Sequence, residues 1–245
     1  MRDRGRFEGV RKILAFNSAF YLVGLFGVVE MAIMLAVLKL PIWISAPAWI
    51  GTGLGLWWLL ASIVASYWVY DASRLMNWDW LDLPKPDRWI NLHAGLDESS
   101  PRLTDLWGAP EGVYDFFDSD EMTEKSILRA RQMVQNEAPA TATDYRSLPI
   151  AGLGLATVIF AAHELRSPGA KEAFFREIAR ALSSGGKLVV VEHLRDVPNF
   201  IVFGPGFMHF FPAAEWRRVA RAAGFERVSE KRLTPFVKAF VWERA

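Results

Sequence analysis

Ala173–Leu194 reads AFFREIARALSSGGKLVVVEHL, and its two halves carry different periodicities. Phe174, Phe175, Ile178 and Leu182 recur at helical spacing with Arg176, Glu177 and Arg180 between them, which predicts an amphipathic helix. Gly185-Gly186 is expected to stop that helix, because glycine tolerates the left-handed turn that closes one. Leu188–Val191 follows as an unalternating apolar run, the mark of a strand buried on both faces. Glu192 and His193 come directly after it. Ligands of parallel sheets bind outside the carboxyl ends of the strands, so this polar pair is a candidate for chemistry.

The first third of the chain is different in kind. The 245 residues are 52% hydrophobic, with a positive mean hydropathy of +0.14. That excess is local: Ile13–Leu38 has Glu30 as its single charge, and Leu40–Tyr70 has none. Each run exceeds the roughly 20 residues that cross a hydrocarbon core of about 30 Å, and each is too long for the apolar region of about 7–15 residues in a cleaved signal peptide. Two membrane-spanning helices joined by a short turn around Lys39 and Pro41 are therefore expected. Arg2, Arg4, Arg6, Arg11 and Lys12 precede the first span, whereas the turn carries only Lys39. Basic residues stay inside, so both termini and the C-terminal domain belong in the cytoplasm, on an integral protein of the cytoplasmic (inner) membrane.

Within the hairpin, Gly51 and Gly55 form a small-xxx-small pair suited to close approach by another helix, in the same chain or in a second copy. Glu30, an ionisable group in mid-span, is a functional candidate; the preferred alternative has it protonated and bonded to Ser62, Ser66 or a partner chain. Trp68, Tyr70, Trp78 and Trp80 read as an interfacial aromatic belt. The expected organisation is a basic arm over 1–12, a transmembrane hairpin over 13–70, a juxtamembrane linker over 71–86 and an α/β domain over 87–245. With no cysteine, neither disulfides nor thiolate metal sites exist. A net charge of +1 and no long basic block outside the arm argue against nucleic acid as a partner.

The α/β domain opens with a strand candidate over Arg88–Leu92, a loop from His93, and a helix capped by Ser99 or Ser100 before Pro101. Gly112–Asp118 is a second strand with acids at its end, and a helix is expected over Glu121–Val134. Leu155–Ala162 is an apolar strand ending in His163-Glu164-Leu165. Val197–Phe211 (VPNFIVFGPGFMHFF) is an apolar, bendable segment with phenylalanines at 200, 203, 207, 210 and 211. A final hairpin, Arg227–Leu233 with Phe236–Trp242, completes the chain. All four histidines (93, 163, 193 and 209) fall at strand ends or in the aromatic segment, two of them beside Glu164 and Glu192. Such a set suits acid–base chemistry. No pair has the i, i+4 spacing of a helical zinc motif, and no metal ligand is assigned.

Several phrases resemble class I S-adenosylmethionine-dependent methyltransferases. Arg180–Glu192 (RALSSGGKLVVVE) is similar to the family's "RxLxPGGxLxxxE", Thr143–Pro149 (TDYRSLP) to "gDxxxLPF", His163–Leu165 to "vlHEl", and Glu215–Gly224 to the family's last helix, "WxxxxxxAGF". The resemblance implies a Rossmann-like domain of seven strands with the last one antiparallel, and S-adenosylmethionine as cofactor. It places the glycine-rich "DxGxGxG" turn at 91–97. There Asn91 stands for the acid, His93 and Asp97 replace glycines, and Gly95 is kept, so the motif is degenerate. His93, Gly95 and Asp97 are then cofactor-site candidates. The ribose hydroxyls fall to Asp115 by its spacing from Gly95, or to Asp118 by the text DSDEM, with Asp115 preferred. Asp144 falls to the adenine amino group.

The expected function is methyl transfer to a lipophilic small molecule (lipid, quinone or isoprenoid type) at the membrane surface. His163 or His193 would be the base, titrating near the usual histidine value of about 6.5. Glu164 and Glu192 support it, and Phe203, Phe207, His209 and Phe211 line the acceptor site. Two other readings stand beside it: a non-catalytic scaffold on the same fold, and a His/Glu metal-dependent enzyme.

Overall fold

The computed structural model describes residues 5–134 and 140–245; Arg2 and Arg4 of the basic arm lie outside them. The chain divides into two compact units: residues up to Ser73 together with Asp196–Phe207, and Arg74–Arg195 together with Met208–Ala245.

The first unit is helical. α1 (Glu8–Phe16), α2 (Ser18–Val37) and α3 (Ile42–Tyr67) follow one another, and α3 runs on into a π turn, Trp68–Ala72. Leu38 leaves α2 in an extended conformation, and Pro41 precedes α3, so the turn between them is short. The Asp71 carboxylate accepts hydrogen bonds from the Gly9 and Val10 amides (2.7 and 2.8 Å), which satisfies the open first turn of α1. By length and composition alone, two helices qualify as membrane spans: Ser18–Val37, of mean hydropathy 2.2, and Ile42–Asn77, of 1.6. Their apolar side chains are mostly exposed: Val23, Phe26, Ile42 and Trp43 are each more than 65% accessible.

Close approach of α2 and α3 uses a different glycine pair from the one the spacing suggested. A side chain at Gly55 would press on Val28, and one at Gly24 on Leu59, whereas Gly51 faces open space. Ser62 bonds the Tyr21 hydroxyl (3.1 Å) and the Leu59 carbonyl (2.9 Å), while Glu30 lies exposed on α2. One helix of this unit is remote in sequence: α7 (Val197–Phe203), which packs on α3. Trp57 Nε1 donates to the Ile201 carbonyl at 2.9 Å, the Trp58 and Phe200 rings lie 5.9 Å apart, and Gly204, at φ +54°, leaves no room for a Cβ against Trp58.

The second unit holds a seven-stranded sheet in the order β3-β2-β1-β4-β5-β7-β6, with β1 Trp89–His93, β2 Gly112–Asp115, β3 Thr141–Ala142, β4 Leu153–Ile159, β5 Leu182–His193, β6 Phe225–Thr234 and β7 Val237–Arg244. The first five are parallel, and β7 enters antiparallel between β5 and β6. α4 (Ser100–Trp107), α5 (Lys125–Val134), α6 (Pro168–Ala181) and α8 (Ala213–Ala222) connect them. Phe174, Phe175 and Ile178 of α6 and Leu188–Val191 of β5 are fully buried, as their periodicities require. Each such side chain contributes about 1.5–3 kcal/mol relative to exposure.

Three local expectations are corrected. α6 does not run to the glycines: Leu182 already turns extended to pair with Leu153, and the register then shifts before Leu155 meets Lys187. Gly185, at φ +74°, and Gly186, against the Ser183 and Leu153 carbonyls, build that irregular start of β5. α5 begins at Lys125 rather than Glu121, because Asp118–Met122 forms a turn closed by the Asp118 side chain on the Asp120 amide. Trp78 belongs to no aromatic belt; it is buried, packs on Trp80 at 5.4 Å and takes a left-handed turn at φ +62°.

Candidate active site

The carboxyl ends of β1, β2, β4 and β5 open on one rim, and two groups of polar side chains gather there. The first surrounds the β1–α4 loop. Asn91 uses both ends of its amide: Oδ1 accepts from Thr157 Oγ1 (2.7 Å), and Nδ2 donates to Asp97 Oδ1 (3.0 Å), Ser99 Oγ (3.1 Å) and Ser100 Oγ (2.9 Å). A carboxylate at 91 could not donate to Asp97. Asp97 Oδ1 also accepts from the Ser99 and Ser100 amides, so it supplies the cap of α4 that the serines were expected to give.

His93 Nδ1 accepts the Gly95 amide at 3.0 Å, which leaves its proton on Nε2; that nitrogen is buried and has no hydrogen-bond partner among the described residues. Burial holds its pKa below the ordinary histidine value, with Arg131 adding to that and Asp97 and Asp115 opposing. Gly95 sits at φ +116°, and the Arg131 side chain fills the space where a Cβ would go. Asp115 ends β2 opposite His93. One of its oxygens accepts the Phe117 amide (3.1 Å) and the other pairs with Arg131 at 2.6 Å. Arg131 also donates to the Ala94 carbonyl and lies over the Phe117 ring at 4.1 Å.

These residues fit an S-adenosylmethionine site. An acid ends β2, Gly95 holds a positive φ that favours glycine, and the His93 Nε2–H is buried without a partner among the described residues. Asp118 closes its own turn and approaches Arg146 (3.6 Å), while Asp144 lies exposed in the turn after β3, bonded to the Arg146 amide.

The second group follows β4 and β5. Phe160, at φ +50°, turns the chain out of β4 into a 3-10 turn, Ala162–Glu164. His163 Nδ1 lies 2.7 Å from Glu192 Oε2, and its Nε2 lies 3.3 Å from Glu164 Oε1. Glu192 also accepts the His163 amide, and its side chain is fully buried. Burial by itself would lower the His163 pKa. The Glu192 charge and the hydrogen bonds to Glu164 and Glu192 outweigh it and raise it to about 10. Against its burial, Glu164 is lowered by the same imidazolium. The His209 ring lies 5.0 Å from that of His163, and burial, then the His163 charge, push it down to about 3.

Thus the structure brings together His163, Glu164, Glu192 and His209. His193, next along the strand from Glu192, points its Nδ1 to the Phe236 carbonyl (3.1 Å) and stacks on Phe210 at 4.9 Å. Phe211 is covered by Lys171 (Nζ 3.6 Å from the ring centroid), Arg166 and Trp216, which makes it part of the packing beneath the rim. Phe203 and Phe207 fall in the helical unit, where Phe207 packs on Phe200 at 5.1 Å. Sequence reasoning missed Arg131 and Arg166. Nothing in the sequence marks Arg131 among the basic residues of α5. Arg166, close behind His163, donates to the His163 and His209 carbonyls at 3.1 and 2.6 Å.

No protein-family model matches the chain, and no curated protein matches its sequence. Solved structures do. Human N-acetylserotonin methyltransferase in complex with S-adenosylmethionine superposes with a TM-score of 0.56 at 14% identity, covering 97% of this chain and 70% of that one. The pyocyanin biosynthetic protein PhzM gives 0.54 at 14% identity (75% and 58%), and an S-adenosylmethionine-dependent methyltransferase from Aquifex aeolicus gives 0.52 at 15% identity (70% and 93%). At these identities the likeness is one of fold: the chain carries the seven-stranded, Rossmann-like fold of the class I S-adenosylmethionine-dependent methyltransferases.

Proposed function

We propose that this protein is an S-adenosylmethionine-dependent methyltransferase that works on a lipophilic acceptor at the cytoplasmic surface of a membrane. The observation that carries the reading is the buried Glu192–His163–Glu164 chain at the carboxyl rim of this sheet, beside the β1–β2 rim that fits the cofactor. The cofactor, when bound, supplies an electrophilic methyl group on a sulfonium. Asp115 takes the ribose hydroxyls once Arg131 releases it, and Asp144 reaches the adenine amino group. Glu192 fixes the imidazole through Nδ1, and the His163–Glu164 pair receives the O–H or N–H proton of the acceptor.

Membrane action is supported by α2 and α3 and by the segment between β5 and α8. Asp196–Phe207 belongs to the helical unit and leaves Val197, Phe200 and Ile201 exposed beside the apolar surface of α3. That surface suits a hydrocarbon environment and an acceptor of lipid, quinone or isoprenoid type. Pairing of two hairpins would use the exposed faces of α2 and α3.

The test takes the full-length chain. It should stay with membranes through high-salt and carbonate washes, and the detergent-solubilised protein should bind S-adenosylmethionine in a calorimetric titration. Release by either wash would remove the membrane reading. No binding at millimolar cofactor would favour a second reading, a scaffold that kept the fold, for which the Arg131–Asp115 pair across the cofactor position is the supporting observation.

A further inference from the structure

His163, Glu164 and His209 each offer one donor atom, and the three atoms lie within 4.8 Å of one another. Glu164 commits one oxygen to His163 Nε2 at 3.3 Å. Its other oxygen is buried and has no hydrogen-bond partner among the described residues, although the side chain is only 8% accessible. A buried carboxylate oxygen with nothing to accept from is costly, because it has given up water without gaining a partner. Glu192 holds His163 from the far side through Nδ1 at 2.7 Å. That is the arrangement in which an outer carboxylate fixes an imidazole and aims Nε2 at a metal. Arg166 bonds the backbone carbonyls of both His163 and His209, and so ties together two segments far apart in sequence. Phe210 packs edge-on against both imidazoles, at 6.3 and 5.8 Å, and supplies an apolar wall.

We infer that His163, Glu164 and His209 form a binding site for one divalent transition-metal ion of the zinc class, with Glu192 as the outer partner of His163. Two imidazoles and one carboxylate select such an ion over magnesium or calcium, which prefer all-oxygen shells. Ligand atoms about 2.1 Å from a tetrahedral ion stand about 3.4 Å apart, so the widest pair, within 4.8 Å, closes by up to about 1.4 Å on loading. Three protein ligands leave a fourth position for water or an acceptor oxygen. The ion takes the Nε2 lone pair that the proposed base uses. Resting on that reading, the loaded protein is a methyltransferase blocked at proton removal.

Tag-free, full-length protein in detergent, stripped with a chelator and dialysed, provides the test. Titrated with Zn²⁺, it should bind one ion per chain with micromolar or tighter affinity, and Co²⁺ in its place should give the visible absorption of a four- or five-coordinate site. His209→Ala should weaken Zn²⁺ at least tenfold, and Glu192→Gln, which removes only the outer partner, by about 10–100-fold. Glu164→Gln keeps the side-chain shape and should weaken Zn²⁺ by tenfold or more with an unchanged circular dichroism spectrum. Absence of micromolar binding, or equal affinity in wild type, His209→Ala and Glu164→Gln, overturns the site. Binding of S-adenosylmethionine is read separately. Zinc bound at these residues in a chain that ignores the cofactor would leave the metal site standing and sink the methyltransferase.

Discussion

Asp115 and Glu192 end two strands of one sheet, and each meets a cation at nearly the same distance, 2.6 Å to Arg131 and 2.7 Å to His163. Their surroundings differ. The Asp115 and Arg131 side chains are 15% and 30% accessible, whereas Glu192 is fully buried and His163 is 10% accessible. A half-buried pair of this kind is held less firmly and can open for a ligand, while losing one partner of a fully buried pair costs about 3–5 kcal/mol. In the proposed reading the same chemistry serves as a movable cover at the cofactor end and as a fixed support at the acceptor end.

The largest expected effect tests the fixed pair. His163→Ala should lower the methyl-transfer rate of the folded fraction by about 10²–10⁴-fold, the usual loss for a general base. Because its neighbours raise the His163 pKa to about 10, the wild-type rate should keep climbing as pH rises from 7 toward 10. A plateau above about pH 7.5 would mean that an ordinary, solvated imidazole does the work. Stability should run the other way. A group whose pKa is raised on folding stabilises fully below its unfolded value of about 6.5 and loses that contribution as pH passes the folded one. The melting advantage of wild type over His163→Ala should accordingly shrink between pH 8 and 10.

At the other end of the comparison, Asp115→Ala should weaken S-adenosylmethionine by about 1–3 kcal/mol, the scale of lost hydrogen bonds to a charged group. Unchanged affinity in calorimetry would move the ribose to Asp118. The smallest effect sharpens the idea of a movable cover. Arg131→Ala should tighten cofactor binding a few-fold, within about 1 kcal/mol, and more at low salt than at high salt. Weaker binding instead would show that the guanidinium holds the ligand rather than competing with it.

By itself the sequence determined the period-dependent features. Buried Leu188–Val191, the apolar face of α6, the antiparallel closing hairpin and the two long apolar helices all follow from local patterning, which one chain displays in full. It also placed His163, Glu164 and Glu192 at strand ends, because strand ends can be read from where apolar runs stop. Tertiary structure decided what each polar group faces. It joined His163 to Glu192 and to His209, far along the chain, and set Arg131 of α5 on Asp115. It turned Asp97 into a helix cap, set the His193 ring on Phe210 and the Phe236 carbonyl, and divided the phenylalanine-rich segment after Phe207. Periodicity reports which side chains leave water, since burial acts on each residue through its own surface. Pairings between charges depend on distances set by the packing of whole elements, and no local pattern records those.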